Sequence, residues 1–84
     1  MKIETLKKED IKYENIDFLN KTITIKDNKI NLKEFVNKLL QENRKDLLMF
    51  LKHELIFVLR LYGMNGYEIV RFLSNLGYPR DYLY

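Results

Sequence analysis

The stretch Lys45-Asp46-Leu47-Leu48-Met49-Phe50-Leu51-Lys52-His53-Glu54-Leu55-Ile56-Phe57-Val58-Leu59-Arg60-Leu61-Tyr62 decides the fold of this chain. Its only polar residues are Lys45, Asp46, Lys52, His53, Glu54 and Arg60. On a helical wheel Asp46, His53 and Arg60 fall on one narrow line at heptad spacing, and most of the remaining circumference is apolar. A surface helix carries a single apolar stripe, whereas one that is apolar nearly all round is either central or oligomeric. The pattern predicts a helix over about 45–62. An 84-residue chain has little else to wrap around such a helix. A homodimer is therefore expected, with Leu48, Leu51, Leu55, Phe57, Val58 and Leu61 as the self-association residues.

The segments on either side are well punctuated. Before it, Asn31 is a suitable N-cap with Glu34 three residues on, and Ile30 and Phe35 take the staple positions. Leu32, Phe35, Val36, Leu39 and Leu40 then make an apolar stripe over about 32–42. Asn43 suits a left-handed end to this helix, although no Gly or Pro forces a break, so a continuous helix over 32–62 is the alternative. After it, Gly63 is a natural C′ residue, Asn65 and Glu68 form a second capping box, and Ile69, Val70, Leu73 and Leu76 line a helix over about 66–76. Gly77 and Pro79 close that helix.

Further toward the N-terminus, Ile23 and Ile25 alternate with Thr22, Thr24 and Lys26, the period of a half-buried strand. Short strands are expected at 16–19, 22–26 and 29–30, turned at Asn20-Lys21 and Asp27-Asn28. Residues 1–15 follow neither period and read as an arm or a short strand. The expected architecture is α+β, mainly α: a short N-terminal β-hairpin over 16–31 followed by three helices, in one domain spanning 1–84. Its helical core is 32–84 and its C-terminal half is helix-turn-helix-like.

Composition narrows the chemistry. Leu, Ile, Val and Phe supply 30 of the 84 residues, far above the disordered range of below about 20%. The absence of Cys excludes a disulfide scaffold, a thiolate metal site and a cysteine nucleophile. His53 is the single histidine, with only Glu54 and Asp46 near it in sequence or on its helical face, too few for a zinc site. Ser74 is the single serine, and there is no Gly-rich phosphate loop or nucleophile elbow. The expectation is a non-enzymatic protein with no catalytic residues, metal or cofactor. No apolar run approaches a membrane span and no signal peptide is visible, so a cytoplasmic location and no membrane partner are expected.

The net charge of +3 gives weak support for a nucleic-acid partner, because the longest basic runs are Lys7-Lys8 and Arg44-Lys45. The distribution of residue types says more. All four Arg lie in the second half, as do five of six Tyr. Arg and Tyr are enriched at protein–protein hot spots. Arg60, Tyr67, Arg71, Tyr78, Arg80, Tyr82 and Tyr84 are therefore the candidate partner-binding residues. Eight Asn, eleven Lys, eight Ile and no Ala fit an AT-rich genome, so the expected type is a small regulator or inhibitor from a phage or low-GC bacterium that binds a larger protein.

The C-terminal half also resembles helix-turn-helix regulators, in two registers. Gly63-Met64-Asn65-Gly66-Tyr67-Glu68-Ile69-Val70 resembles the start of the motif's first helix, and Gly77-Tyr78-Pro79-Arg80-Asp81-Tyr82-Leu83 its turn and the opening of the recognition helix, which would have a single turn. In the other register helix 45–62 is the support, Gly63 the turn glycine and helix 66–76 the recognition helix. Val58, Tyr62, Met64, Ile69 and Phe72 then take the motif's apolar positions, Leu59 stands where it usually has Ala, and Asn65, Tyr67, Arg71, Ser74 and Asn75 form the reading face. This resemblance implies DNA binding as the alternative function, with Arg60, Arg71 and Arg80 contacting phosphates or bases.

Overall fold

The computed structural model describes residues 2–83. Residues 2–15, read as an arm or short strand, instead form three successive 3-10 turns at Ile3–Thr5, Lys8–Ile11 and Tyr13–Asn15. A three-stranded antiparallel meander follows: β1 (Ile16–Asp17), β2 (Thr22–Ile25) and β3 (Asn28–Asn31). Then come α1 (Leu32–Gln41), α2 (Lys45–Leu61), α3 (Gly66–Asn75) and a closing 3-10 turn at Arg80–Tyr82. The α+β, mainly α class and the order of elements match the expectation from sequence.

The second strand turn falls one residue earlier than expected. Lys26 and Asp27, not Asp27 and Asn28, occupy it, both at positive φ as in a type I′ turn. This register aligns Ile16, Ile23 and Ile30 as one row across the three strands. Burial of Ile16 and Ile23, with Ile30 half-buried beside them, fixes the pairing against the weak turn preference of Lys26.

The three helices end in the same way. Asn43, Gly63 and Gly77 are each left-handed. Their N–H groups bond the carbonyls of Leu40, Arg60 and Ser74, and the next residues, Arg44, Met64 and Tyr78, reach back to Leu39, Leu59 and Leu73. This is the Schellman arrangement, which satisfies carbonyls left free at a helix end. At Asn43 it separates α1 from α2, so the two are not one continuous helix. The starts of α1 and α3 carry the expected caps. Asn31 Oδ1 accepts the Lys33 and Glu34 N–H groups, and Asn65 and Glu68 form a reciprocal box.

The core of the molecule surrounds α2. Its Leu47, Leu48, Leu51, Leu55 and Leu59 are buried together with Ile23 and Ile25 of the sheet, Phe35, Val36 and Leu39 of α1, and Ile69 and Leu73 of α3. The N-terminal turns close the remaining side with Ile3, Leu6 and Ile11. Arg44 fastens them. Its guanidinium donates to the Ile3 carbonyl at 2.8 Å and the Leu6 carbonyl at 3.0 Å, and to both carboxylate oxygens of Asp46. Farther along, Glu54 Oε1 accepts the Tyr13 N–H. Arg44 and Glu54 thus hold down a segment whose own local pattern is weak.

Candidate functional surface

Four of the six expected self-association residues are core residues of the single chain. Leu48, Leu51, Leu55 and Val58 are buried, so they cannot reach a second copy without unfolding. The physical reason is that the single chain supplies the cover: the sheet, α1, α3 and the N-terminal turns together wrap the side of α2 that looked unpartnered in sequence. Phe57 and Leu61 do stand at the surface, 55% and 70% exposed.

They belong to an open face of α2. Met49, His53, Phe57, Arg60 and Leu61 are exposed along it, and Phe50 and Ile56 are half-buried at its edges. Two shallow grooves run along this face and meet at His53. One, of about 310 Å³, is lined by Lys8, Asp46, Met49, Phe50 and His53. The other, of about 580 Å³, is lined by His53, Ile56, Phe57, Arg60 and Leu61. Tyr13 extends the apolar surface, its ring 6.1 Å from that of Phe57. At the C-terminal end Tyr62 is 67% exposed and stands edge-on to Phe18 at 5.9 Å. Met49, Tyr13 and Tyr62 were not among the candidates from sequence. Met49 was legible as a neighbour of the polar line at helical spacing, whereas Tyr13 arrives from 44 residues away and leaves no local signal.

The Arg/Tyr set divides. Tyr78 is a core residue, 4% exposed, and its hydroxyl donates to the Leu48 carbonyl at 2.8 Å. Burial pushes its pKa far above the usual tyrosine value, so it stays neutral. Tyr82 is half-buried and stacks edge-on against Tyr78 at 5.8 Å. Its carbonyl accepts Lys52 Nζ, and with Arg60 it lines a groove between α2, α3 and the C-terminal turn. Tyr67 and Arg71 are exposed on α3, with the guanidinium 5.9 Å from the ring centre, a cation–π pair. Arg80 is exposed on the last turn. Tyr84 lies outside the described residues.

Of the helix-turn-helix positions, Asn65, Tyr67, Arg71, Ser74 and Asn75 are exposed, with Asn65 engaged as the N-cap of α3; Val58 and Ile69 are buried, and Met64 and Phe72 are half-buried. Tyr62, which takes an apolar position of the motif, is instead at the surface.

Among the described residues no group of three or more His, Cys, Asp or Glu side chains gathers as a metal site. No helix is long and apolar enough to cross a membrane. Away from α2, a groove of about 480 Å³ is lined by Asn31, Lys33, Glu34, Asn37, Leu40, Leu76 and Gly77, with Lys33 and Glu34 its ionisable side chains. Comparison with protein-family models, with curated proteins and with solved structures gives no match.

Proposed function

We propose that this chain is a cytoplasmic, non-enzymatic protein-interaction module that regulates or inhibits a larger protein. It self-associates through the open face of α2. The observation that carries this reading is the run of exposed large apolar side chains Met49, Phe57 and Leu61, with Tyr13 beside Phe57, on the helix that also forms the core. Contiguous exposed apolar surface on a small domain marks an interaction site. The second surface, for the larger partner, is the α3 and C-terminal face with Tyr67, Arg71 and Arg80, where an aromatic ring and guanidinium groups stand in solvent. The test of this surface is affinity capture from a low-GC bacterial lysate with the wild type beside an Arg71→Glu, Arg80→Glu double variant. A protein enriched by the wild type and lost with the variant supports it. Equal capture by both refutes the face.

A second reading has its own observation. Tyr67, Arg71, Ser74 and Asn75 are exposed on α3, with Asn65 at its N-cap, and α3 follows α2 through the Gly63 turn, which supports α3 as a DNA-reading helix. It requires duplex binding that weakens steeply as salt rises. Absence of duplex binding at low salt removes it.

A further inference from the structure

The open face of α2 has an internal symmetry. At about 100° per residue His53 sits at the middle of the exposed arc, with Asp46 and Arg60 one heptad away on either side. Met49 and Ile56 fall on one flank of that line, and Phe50 and Phe57 on the other. The two grooves that meet at His53 divide the same residues into halves, Asp46, Met49 and Phe50 in one, Ile56, Phe57 and Arg60 in the other.

The geometry points to a second copy of this chain as the occupant, with α2 packed antiparallel on the partner's α2 about a two-fold axis that crosses at His53. Such an axis lies perpendicular to both helices. It reverses their direction and leaves each flank facing the same flank. Met49 then meets the partner's Ile56, and Phe50 meets the partner's Phe57. Asp46 meets the partner's Arg60, and each contact occurs twice, as an isologous interface requires. A parallel pairing in register would instead set Asp46 against Asp46 and Arg60 against Arg60. Asp46 has capacity for a second cation: its side chain is 54% exposed, and each oxygen accepts once from Arg44 in a group with about four acceptor positions. Charge and apolar pattern therefore select one orientation and one register.

This pairing rests on the reading of α2 as the self-association face and adds its geometry. The interface is one helix wide, at the low end of specific interfaces, below about 1,200 Å² in total, so the association is tested at roughly 100–500 µM. The chain has no Cys, so single cysteines report on geometry without background. Facing residues on helices packed about 8–10 Å apart come within disulfide reach. His53→Cys lies on the axis and crosslinks to itself. The two copies of Leu61→Cys would be separated by about 24 Å along the helices. All of these positions are exposed or at the edge of the face, and circular dichroism confirms that each variant folds. The expected result is a dimer by light scattering, self-crosslinking of His53→Cys at least about tenfold faster than of Leu61→Cys, and preferential heterodimer formation when Phe50→Cys and Phe57→Cys are mixed. A wild-type chain that is monomeric at about 500 µM overturns the pairing and the self-association reading together. A dimer in which Leu61→Cys crosslinks faster than His53→Cys overturns the pairing alone.

Discussion

Replacing Tyr78 by Phe isolates one hydroxyl whose effect reverses sign with pH. In the folded chain that hydroxyl is buried, neutral, and bonded to the Leu48 carbonyl at 2.8 Å. Tyr78→Phe keeps the ring and its edge-on contact with Tyr82. It leaves no orphan acceptor either, because the Leu48 carbonyl lies within α2 and serves the helix ladder. The cost near neutral pH is that of one net hydrogen bond, about 0.5–1.5 kcal/mol. At alkaline pH the balance changes. The unfolded chain ionises Tyr78 near its ordinary value of 10.0, while burial raises the folded value well above that. A raised folded pKa means that the stabilisation is complete below the unfolded pKa and is lost as pH rises above it. At about pH 11 the wild type has lost about 1.4 kcal/mol through this one group, and the Phe variant has lost none of it. The other tyrosines and the lysines are common to both chains and cancel in the difference. The two stability curves, measured by urea unfolding followed by circular dichroism, should therefore cross between about pH 10 and pH 11. Curves that stay parallel from about pH 8 to pH 11 would refute a buried, neutral Tyr78 and with it the packing of the C-terminal turn on α2.

Three further outcomes follow from the structure. Arg44→Ala removes the donors to Ile3 and Leu6, so residues 2–15 should become the first site of limited proteolysis, with a lower midpoint in chemical denaturation; unchanged proteolysis would show that apolar contacts alone hold the segment. Gly77→Ala meets no neighbouring atom but places a Cβ at φ +101°, so a loss of about 1–2 kcal/mol of purely conformational origin is expected in thermal unfolding. Hydrogen bonds from Arg44 hold the Asp46 carboxyl below its ordinary value of 3.8, and bonds from Asn20 do the same for Asp17. Depressed folded values mean stability that is present above pH 3.8 and lost as pH falls through them, so Asp46→Asn should flatten the acid limb of the wild-type curve.

The helices were legible because their ends are written in single residues. Asn31 and Asn65 start α1 and α3, and Asn43, Gly63 and Gly77 stop the three helices, each through a local hydrogen-bond motif that acts within a few residues. The sheet was legible in its alternation at Ile23 and Ile25 but not in its turn, because the register depends on the alignment of Ile16, Ile23 and Ile30 across all three strands. Residues 2–15 were not legible at all. Their 3-10 turns leave no amphipathic period, and Ile3, Leu6 and Ile11 are buried by distant elements, α2 and β2, that lie against them. That gap also misplaced the candidate surface. A helix apolar nearly all round reads the same whether its cover is a second copy or the chain's own first residues. Half of its apolar circumference proved to be core, and the face around His53 and Phe57 is what remains.

The ties on residues 2–15 also set an order of events during synthesis. The Ile3 and Leu6 carbonyls wait for Arg44, and the Tyr13 N–H waits for Glu54, partners made 38–41 residues later. At roughly 5–20 residues per second, the first turns spend several seconds outside or inside the ribosome with no surface on which to fold. Ile3, Leu6 and Ile11 are exposed for that interval, and the segment docks only once α2 has emerged. Residues 2–15 therefore wait longer for their cover than the strands or α1, whose partners follow sooner, and that interval gives a nascent-chain chaperone its longest opportunity to bind there.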